Sequence, residues 1–170
     1  MNETWNASEA PQYAGTNQSP GPTVVYDWFI YEADFTGIAP GASQTQTISI
    51  EADSNFLWQQ GVYAANIAYA AYEIGTQPIP NAGVVIQDTG SGRNLMSSAV
   101  PLQNFFGLGR EPFCLFSARW FRANTTFKVT VNNYDAADTY NLNLSFIGLK
   151  AFYYTGSVRV TPPAPAVTTA

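Results

Sequence analysis

Enzymes usually depend on a small set of reactive side chains, and this chain holds few of them. It has no histidine, which is the commonest general base and nitrogen ligand, and it has one cysteine, Cys114. Ser-His-Asp and Cys-His nucleophile systems and structural zinc sites are therefore excluded. No glycine-rich phosphate loop occurs, and residues 90–93 (GSGR) have the composition of a hairpin turn. We expect Cys114 to be a small buried side chain.

Three pairs of carboxylates remain as candidates for chemistry: Glu32 with Asp34, Glu51 with Asp53, and Asp135 with Asp138. Such a pair could serve a glycosidase or help to bind calcium. However, Asp135 and Asp138 lie in a predicted turn, where aspartate is common because its side chain bonds to the backbone. Glu32 and Asp34 face the same side of a predicted strand, where solvated carboxylates are usual. We therefore expect no catalytic residues, no metal site, no cofactor and no enzyme activity.

Charged residues are few, and they are unevenly distributed. They make up 11% of the chain, against roughly 25% in a typical soluble domain. Such a surface is expected where neighbouring subunits cover it, although Asn, Thr, Ser and Gln could keep it soluble alone. The net charge of −5 argues against nucleic-acid binding, which needs a basic surface. The residues before Arg93 carry −9 and the rest +4, which indicates either neutralisation within the fold or complementarity between neighbouring copies.

Both ends of the chain differ from its middle. Residues 1–21 are polar, with Trp5 and Tyr13 as their large apolar side chains, and they show no periodicity. We interpret them as an extended arm, either unattached or anchored on a neighbouring subunit by these two rings. Residues 157–170 are rich in proline and are expected to form an extended tail, which leaves residues 22–156 as one domain. The sequence has neither a signal peptide nor a membrane-spanning stretch, so we expect synthesis in the cytoplasm and no membrane contact.

The middle of the chain alternates apolar and polar residues with the period of β-strands. In residues 121–154, one alternating run extends from Phe127 to Val131, and the pattern resumes at Tyr140 after a polar turn. We interpret this stretch as a β-hairpin with a bulge or bend at Gly148. One face of the hairpin is apolar, so it needs a second sheet on which to pack.

Further strands are predicted from the same alternation and from the glycine and proline residues that separate them. They cover residues 23–35, 43–52, 56–72, 84–88 and 93–97, the third of them bent near Gly61. With the hairpin and the strand that enters it, the total is about eight, at the spacing of a β-sandwich. The predicted fold class is therefore all-β, a two-sheet antiparallel sandwich that is jelly-roll-like.

Two arginines flank a pair of aromatic residues at the start of the predicted hairpin. Arg119 and Arg122 lie on either side of Trp120 and the phenylalanine that follows it. They could contact a carboxylate or a ring of a neighbouring molecule, or form an exposed pair at the strand entrance. We predict Trp120 and Arg122 as partner-contact residues, together with Trp5 and Tyr13 of the arm.

Five segments of strand and turn residues follow one another in a recognisable order. They are residues 50–56 (IEADSNF), 85–95 (VIQDTGSGRNL), 105–107 (FFG), 118–126 (ARWFRANTT) and 146–150 (FIGLK). This order resembles a family of small virion proteins that tailed bacteriophages encode beside their capsid and tail genes. Where such members usually have a proline before the second-last strand, this chain has residues 117–120 (SARW). The resemblance implies a structural component of the virion, such as a head decoration or cement protein.

The expected function follows from this resemblance together with the lack of catalytic groups. We expect a non-enzymatic, homo-oligomeric component of the phage particle that binds the major capsid protein, copies of itself, or both. It would be located in the virion and would stabilise the head lattice through many repeated weak contacts. Two alternatives remain open: a tail or connector subunit, and a carbohydrate-binding module of a phage tail.

Overall fold

A computed structural model of the chain describes residues 23–67, 79–155 and 158–160. The predicted arm at residues 1–21, with Trp5 and Tyr13, lies outside the described residues. Most of the predicted tail at residues 157–170 lies outside them too, as does the end of the strand predicted over residues 56–72.

The described residues form ten β-strands and one short 3₁₀ helix, Leu102–Asn104. The strands are β1 (Thr23–Ile38), β2 (Ser43–Ser49), β3 (Asn55–Ile67), β4 (Ala82–Asp88), β5 (Arg93–Asn94), β6 (Val100–Pro101), β7 (Phe113–Phe121), β8 (Thr126–Asn133), β9 (Tyr140–Thr155) and β10 (Val158–Val160). β-Branched and aromatic residues are frequent in the long strands, and small or polar residues occupy most of the turns. The predicted all-β fold class is confirmed.

The strands form two antiparallel sheets that pack face to face. Sheet A has the order β1-β9-β3-β7, with the short β10 on β9, and sheet B has the order β2-β8-β4-β5, with β6 also on β4. β5 and β6 pair with different ends of β4 and together occupy one strand position. The chain changes sheets at each connection from β1 to β4 and again at each connection from β6 to β9. This is the strand order of a jelly roll, as predicted.

The predicted hairpin over residues 121–154 is wrong in its pairing, although both of its strands are present. β8 lies in sheet B between β2 and β4, whereas β9 lies in sheet A between β1 and β3. Residues 134–139 cross from one sheet to the other. The apolar faces of β8 and β9 therefore meet across the interior, where the rings of Phe127 and Phe146 are 5.0 Å apart. Alternation determines which face of a strand is buried, but not which strand is its hydrogen-bonded neighbour.

Aromatic rings from both sheets form the centre of the core. Around the fully buried Trp58 of β3 lie the rings of Phe105, Phe106, Phe121 and Phe146. The ring of Phe121 stacks on that of Phe127 in sheet B, with centroids 4.3 Å apart. Two of these rings, Phe105 and Phe106, come from the connection between β6 and β7, which contains the 3₁₀ helix and folds back over Trp58. Each large side chain buried in this way stabilises the fold by about 1.5–3 kcal/mol.

The backbones of β3 and β9 approach closely at Gly148. The predicted bulge lies in the neighbouring strand instead, because the register of β3 shifts between Trp58 and Gln60, opposite Gly148 and Ile147. A Cβ atom at Gly148 would lie 2.0 Å from the carbonyl oxygen of Leu57. Glycine is therefore required at this position by the distance between the two strands.

Cys114 is exposed, so the prediction that it is buried is wrong. It lies in the edge strand β7, opposite Gln60 of β3. Its neighbour Phe113 stacks on the ring of Phe105 and takes the inward position. Because successive side chains of a strand point to opposite faces, Cys114 points outward.

Replacing Gly148 with alanine should destabilise the fold, because the new methyl group cannot fit between β9 and β3. We expect the free energy of unfolding, measured by urea denaturation, to fall by about 1–3 kcal/mol. Gly109→Ala is the matched control, since a Cβ atom there meets no atom within 4 Å. Equal stabilities of the two variants would contradict the close approach of the strands.

Candidate interaction surface

The outer face of sheet A carries a row of apolar side chains that crosses its four long strands. Trp28 in β1 lies opposite Leu149 in β9, Leu149 opposite Leu57 in β3, and Leu57 opposite Trp120 in β7. Residues that lie opposite one another in antiparallel strands share a face of the sheet. The next residue after Trp120, Phe121, is buried in the core on the other face. We call Trp28, Leu149, Leu57 and Trp120 the apolar row.

Further apolar side chains widen the row along β1. Ile30 lies opposite Ile147 and Tyr26 opposite Ala151, two residues to either side of Trp28 on the same face. Trp28 is 69% exposed, Tyr26 52% and Ile30 50%. A contiguous exposed apolar surface of this kind is typical of a protein interaction site.

The outer face of sheet B is polar. Ser43 donates a hydrogen bond to Asn132 at 2.6 Å, and the hydroxyl oxygens of Thr45 and Thr130 are 2.8 Å apart. These short side chains pair with one another across β2 and β8 and remain accessible to water. The two outer faces therefore differ in character, and in the part of the chain that the structure describes the apolar one belongs to sheet A.

One part of the β1 edge is closed by side chains from sheet B. Gln46 donates a hydrogen bond to the carbonyl oxygen of Asp34, and Gln44 donates one to that of Thr36, each at 3.0 Å. The even-numbered residues of β1 thus direct their carbonyl groups away from β9. Between Thr23 and Asp34, no strand within the described ranges pairs with this edge.

The predicted contact residues Trp120 and Arg122 lie together at the opposite edge of sheet A. Trp120 is 38% exposed and ends the apolar row, and Arg122 is exposed directly after β7. Their contact with a partner stays a prediction. Trp28 is more exposed than Trp120, yet sequence reasoning did not single it out, because both faces of the predicted strand at residues 23–35 carry bulky side chains.

A buried lysine lies on the inner side of sheet A. The Nζ atom of Lys150 lies 3.5 Å from the centroid of the Phe29 ring and 2.9 Å from a carboxylate oxygen of Glu51. Tyr31 donates a hydrogen bond to the same carboxylate. The ammonium group is thus paired with an opposite charge and placed over an aromatic face, both of which offset the cost of its burial.

This cluster shifts the pKa values of its two acids. Burial, followed by the hydrogen bond to Glu51 and the charge of that residue, raises the pKa of Tyr31 well above its usual range. Partial burial acts to raise the pKa of Glu51, but the hydrogen bonds from Tyr31 and Lys150 outweigh it, so that pKa is lowered. Glu51 is therefore held ionised. Through its bonds to Tyr31 of β1 and Lys150 of β9, it connects the loop between β2 and β3 to both of these strands.

Two other carboxylates from the predicted pairs form hydrogen bonds, Asp135 within a turn and Asp34 on the surface of a strand. Asp135 accepts hydrogen bonds from the backbone N–H groups of Ala137 and Asp138 at 2.8 and 3.0 Å and from the hydroxyl of Tyr140 at 2.9 Å. These bonds lower the pKa of Asp135. Asp34 accepts a hydrogen bond from an asparagine of β9. The described residues contain no cluster of three or more side chains that could hold a metal ion.

The chain has a distant structural similarity to a phage capsid structure. One chain of the solved capsid asymmetric unit of cyanophage Pam1 is similar over 88% of this chain and 99% of that chain, with a TM-score of 0.36 and 16% sequence identity. No protein-family profile and no curated protein matches the chain. Within the described ranges, no helix is long and apolar enough to span a membrane.

Replacing Glu51 with glutamine should destabilise the protein, because it removes the counter-charge of Lys150 while keeping an acceptor for Tyr31. The lowered pKa means that ionised Glu51 stabilises the fold above the ordinary glutamate pKa of about 4.3, and that this contribution is lost as the pH falls. We expect a loss of about 1–2 kcal/mol near neutral pH, modest because the Glu51 side chain is 49% exposed. Thermal unfolding across pH should also show a shallower acid dependence for this variant.

Glu32→Gln provides the control for this experiment, since Glu32 is an exposed carboxylate on the outer face of the same sheet. It should unfold like the parent protein at each pH. Identical acid profiles for Glu51→Gln and the parent protein would contradict the stabilising role of the cluster.

Proposed function

We propose that the protein is a non-catalytic structural component of a tailed-phage virion, a decoration or cement protein that binds the major capsid protein and forms homo-oligomers. The proposal of a phage particle as its location is supported by the resemblance of segments between residues 50 and 150 to small virion proteins. In this role the protein is located in the virion, and its work is mechanical. It uses no cofactor and binds neither nucleic acid nor membrane.

The apolar row is the observation that carries this proposal. Trp28 and Trp120 stand at its two ends, with Leu149 and Leu57 between them. Single exposed apolar side chains are normal, but a connected row on one face beside a polar opposite face favours a surface that a partner protein covers. The charge content of 11% supports the same conclusion, because charged residues are depleted at the centres of protein interfaces.

Such a surface need not bind tightly in a single copy. On a capsid lattice the binding sites are repeated at fixed distances, so copies that also contact one another bind with a high effective concentration. The total affinity of the layer then exceeds that of one subunit by far. A cement protein needs this property, since it must hold neighbouring capsid subunits together.

The exposed rings also favour a second candidate, the carbohydrate-binding module. Ligand sites of that kind combine aromatic rings with a few polar groups that fix orientation. Between the tryptophans of the apolar row, however, the side chains are leucines, which form no hydrogen bonds with sugar hydroxyls. A protein partner therefore fits the row better. Specific binding of the isolated protein to a glycan array would reverse this preference.

Trp28→Ser should weaken binding to capsids and leave the fold intact, because the ring is mostly exposed. We expect an affinity loss of about tenfold or more, as for an aromatic residue that carries much of the binding energy, measured by cosedimentation with particles that lack the protein. Thr47→Ala, on the outer face of sheet B, is the control and should bind like the parent protein. Unchanged binding by both Trp28→Ser and Trp120→Ser would show that the apolar row is not the surface that binds capsids.

The number of copies in purified virions distinguishes head from tail. A decoration protein is present in amounts comparable to the major capsid protein, whereas a tail or connector subunit is present in far fewer copies. Quantitative staining of virion proteins on a gel measures this ratio. A ratio far below that of the capsid protein would favour the tail or connector alternative.

Removing residues 1–21 tests the predicted arm. We expect the truncated protein to keep its β-sheet circular dichroism spectrum and its Tm, because β1 begins at Thr23. It should fail to incorporate into particles if Trp5 and Tyr13 anchor the arm on a neighbouring subunit. Normal incorporation of the truncated protein would count against that role.

A further inference from the structure

The two edges of sheet A carry opposite charge. β1 contains three carboxylates, Asp27, Glu32 and Asp34, and no basic residue. At the other edge, β7 and the residue after it contain Arg119 and Arg122 and no acidic residue. Arg119 also pairs with a carboxylate of sheet B at 3.4 Å, whereas Arg122 is exposed. The sheet is therefore acidic along one side and basic along the other.

Both edges also present backbone groups without a neighbouring strand in the described part of the chain. β1 pairs with β9, and β7 pairs with β3. Glutamines of β2 cover the carbonyl groups of Asp34 and Thr36. The even-numbered residues that precede them in β1, from Val24 to Glu32, direct their backbone N–H and C=O groups to the open side of the sheet. Residues 115–118 of β7 lie opposite the single residue Gln59, so this strand bulges and its regular edge is limited to residues 119–121. Open edges beside exposed apolar side chains are templates for pairing with another chain.

We propose that copies of the protein associate edge to edge, with β1 of one copy against β7 of the next, so that the apolar row continues from copy to copy. Within sheet A, β1 and β7 run in opposite directions. The new pair is therefore antiparallel, like every other pair in the sheet. Trp28 of one copy meets Trp120 of the next at each junction. This inference deepens the proposed function, and its setting in a virion rests on that function.

Charge selects this pairing over the pairing of like edges. Two β1 edges would bring carboxylates together with no arginine between them, and two β7 edges would bring arginines together. In the mixed pairing, Arg122 approaches the acidic edge and can stack on the exposed rings of Tyr26 and Trp28. A contact between two different edges repeats in one direction, so it forms a closed ring or an extended row instead of ending at a dimer.

Engineered disulfides test which edges meet. Trp28 lies opposite Trp120 of the next copy within the regular part of the β7 edge, and both of these side chains are exposed. With Cys114→Ser to remove the native thiol, Trp28→Cys with Trp120→Cys should give cross-linked dimers, trimers and larger species on a non-reducing gel. Either cysteine alone should leave the protein monomeric on the gel. A dimer from Trp28→Cys alone, or no cross-link in the double variant, would overturn the proposal.

Sedimentation of the unmodified, full-length protein gives an independent measurement. Its average mass should rise with concentration and fall with added salt, because salt screens exposed charges. Arg122→Glu should weaken this association roughly threefold to tenfold, whereas Arg93→Glu, the same charge change in sheet B, should leave it unchanged. Equal effects of the two variants, or a monomer at every concentration, would overturn the edge pairing.

The two proposals fail in different experiments, because neither measurement of self-association uses phage particles. A protein that associates edge to edge but does not bind capsids would refute the decoration role and leave the edge pairing in place. A protein that binds capsids as a monomer would refute the edge pairing and the homo-oligomers, and would leave the decoration role in place.

Discussion

The packing of aromatic rings between the two sheets is the interaction on which the rest of the molecule depends. Phe127 of sheet B contacts Phe121 and Phe146 of sheet A, with ring centroids 4.3 and 5.0 Å apart, and Trp58 packs against Phe146 at 4.9 Å. These contacts decide which face of each strand points inward. Because neighbouring side chains alternate, burying Phe121 forces Trp120 outward. The exposed surface of sheet A is thus a consequence of its core.

Much of the fold could be predicted from the sequence, because burial leaves a periodic pattern. The run from Phe127 to Val131 indicates a strand with one buried face, and the structure has that strand. The partner of the strand could not be predicted in the same way. A polar segment such as residues 134–139 fits a hairpin turn, but it also spans the distance of about 10 Å between packed sheets, and the sequence does not distinguish the two. The bulge or bend predicted at Gly148 is likewise misplaced, because the register shift lies in β3.

The candidate surface was harder to predict, because it exists only once four strands are aligned. The arginines on either side of Trp120 indicate a contact residue at that position, and Trp120 is exposed. Trp28 had no such local signal, since bulky residues occupy both faces of its strand. Trp28 belongs to the apolar row because it lies opposite Leu149, which in turn lies opposite Leu57. These pairs become known only once the strands are aligned. The prediction that Cys114 is buried is wrong because it rests on where cysteines lie on average. Cys114 is exposed because its neighbour Phe113 takes the inward position.

The position of β9 in the middle of sheet A also sets the time at which the protein can fold. β9 is the hydrogen-bonded neighbour of both β1 and β3, and β2 likewise waits for β8. During translation, β1 remains without its hydrogen-bonded partner until residues 140–155 have left the ribosome. Sheet A therefore cannot be completed before β9 has been synthesised, and the folding rate is limited by contacts between distant parts of the sequence. Nascent chains are most vulnerable to aggregation just before that last long strand emerges.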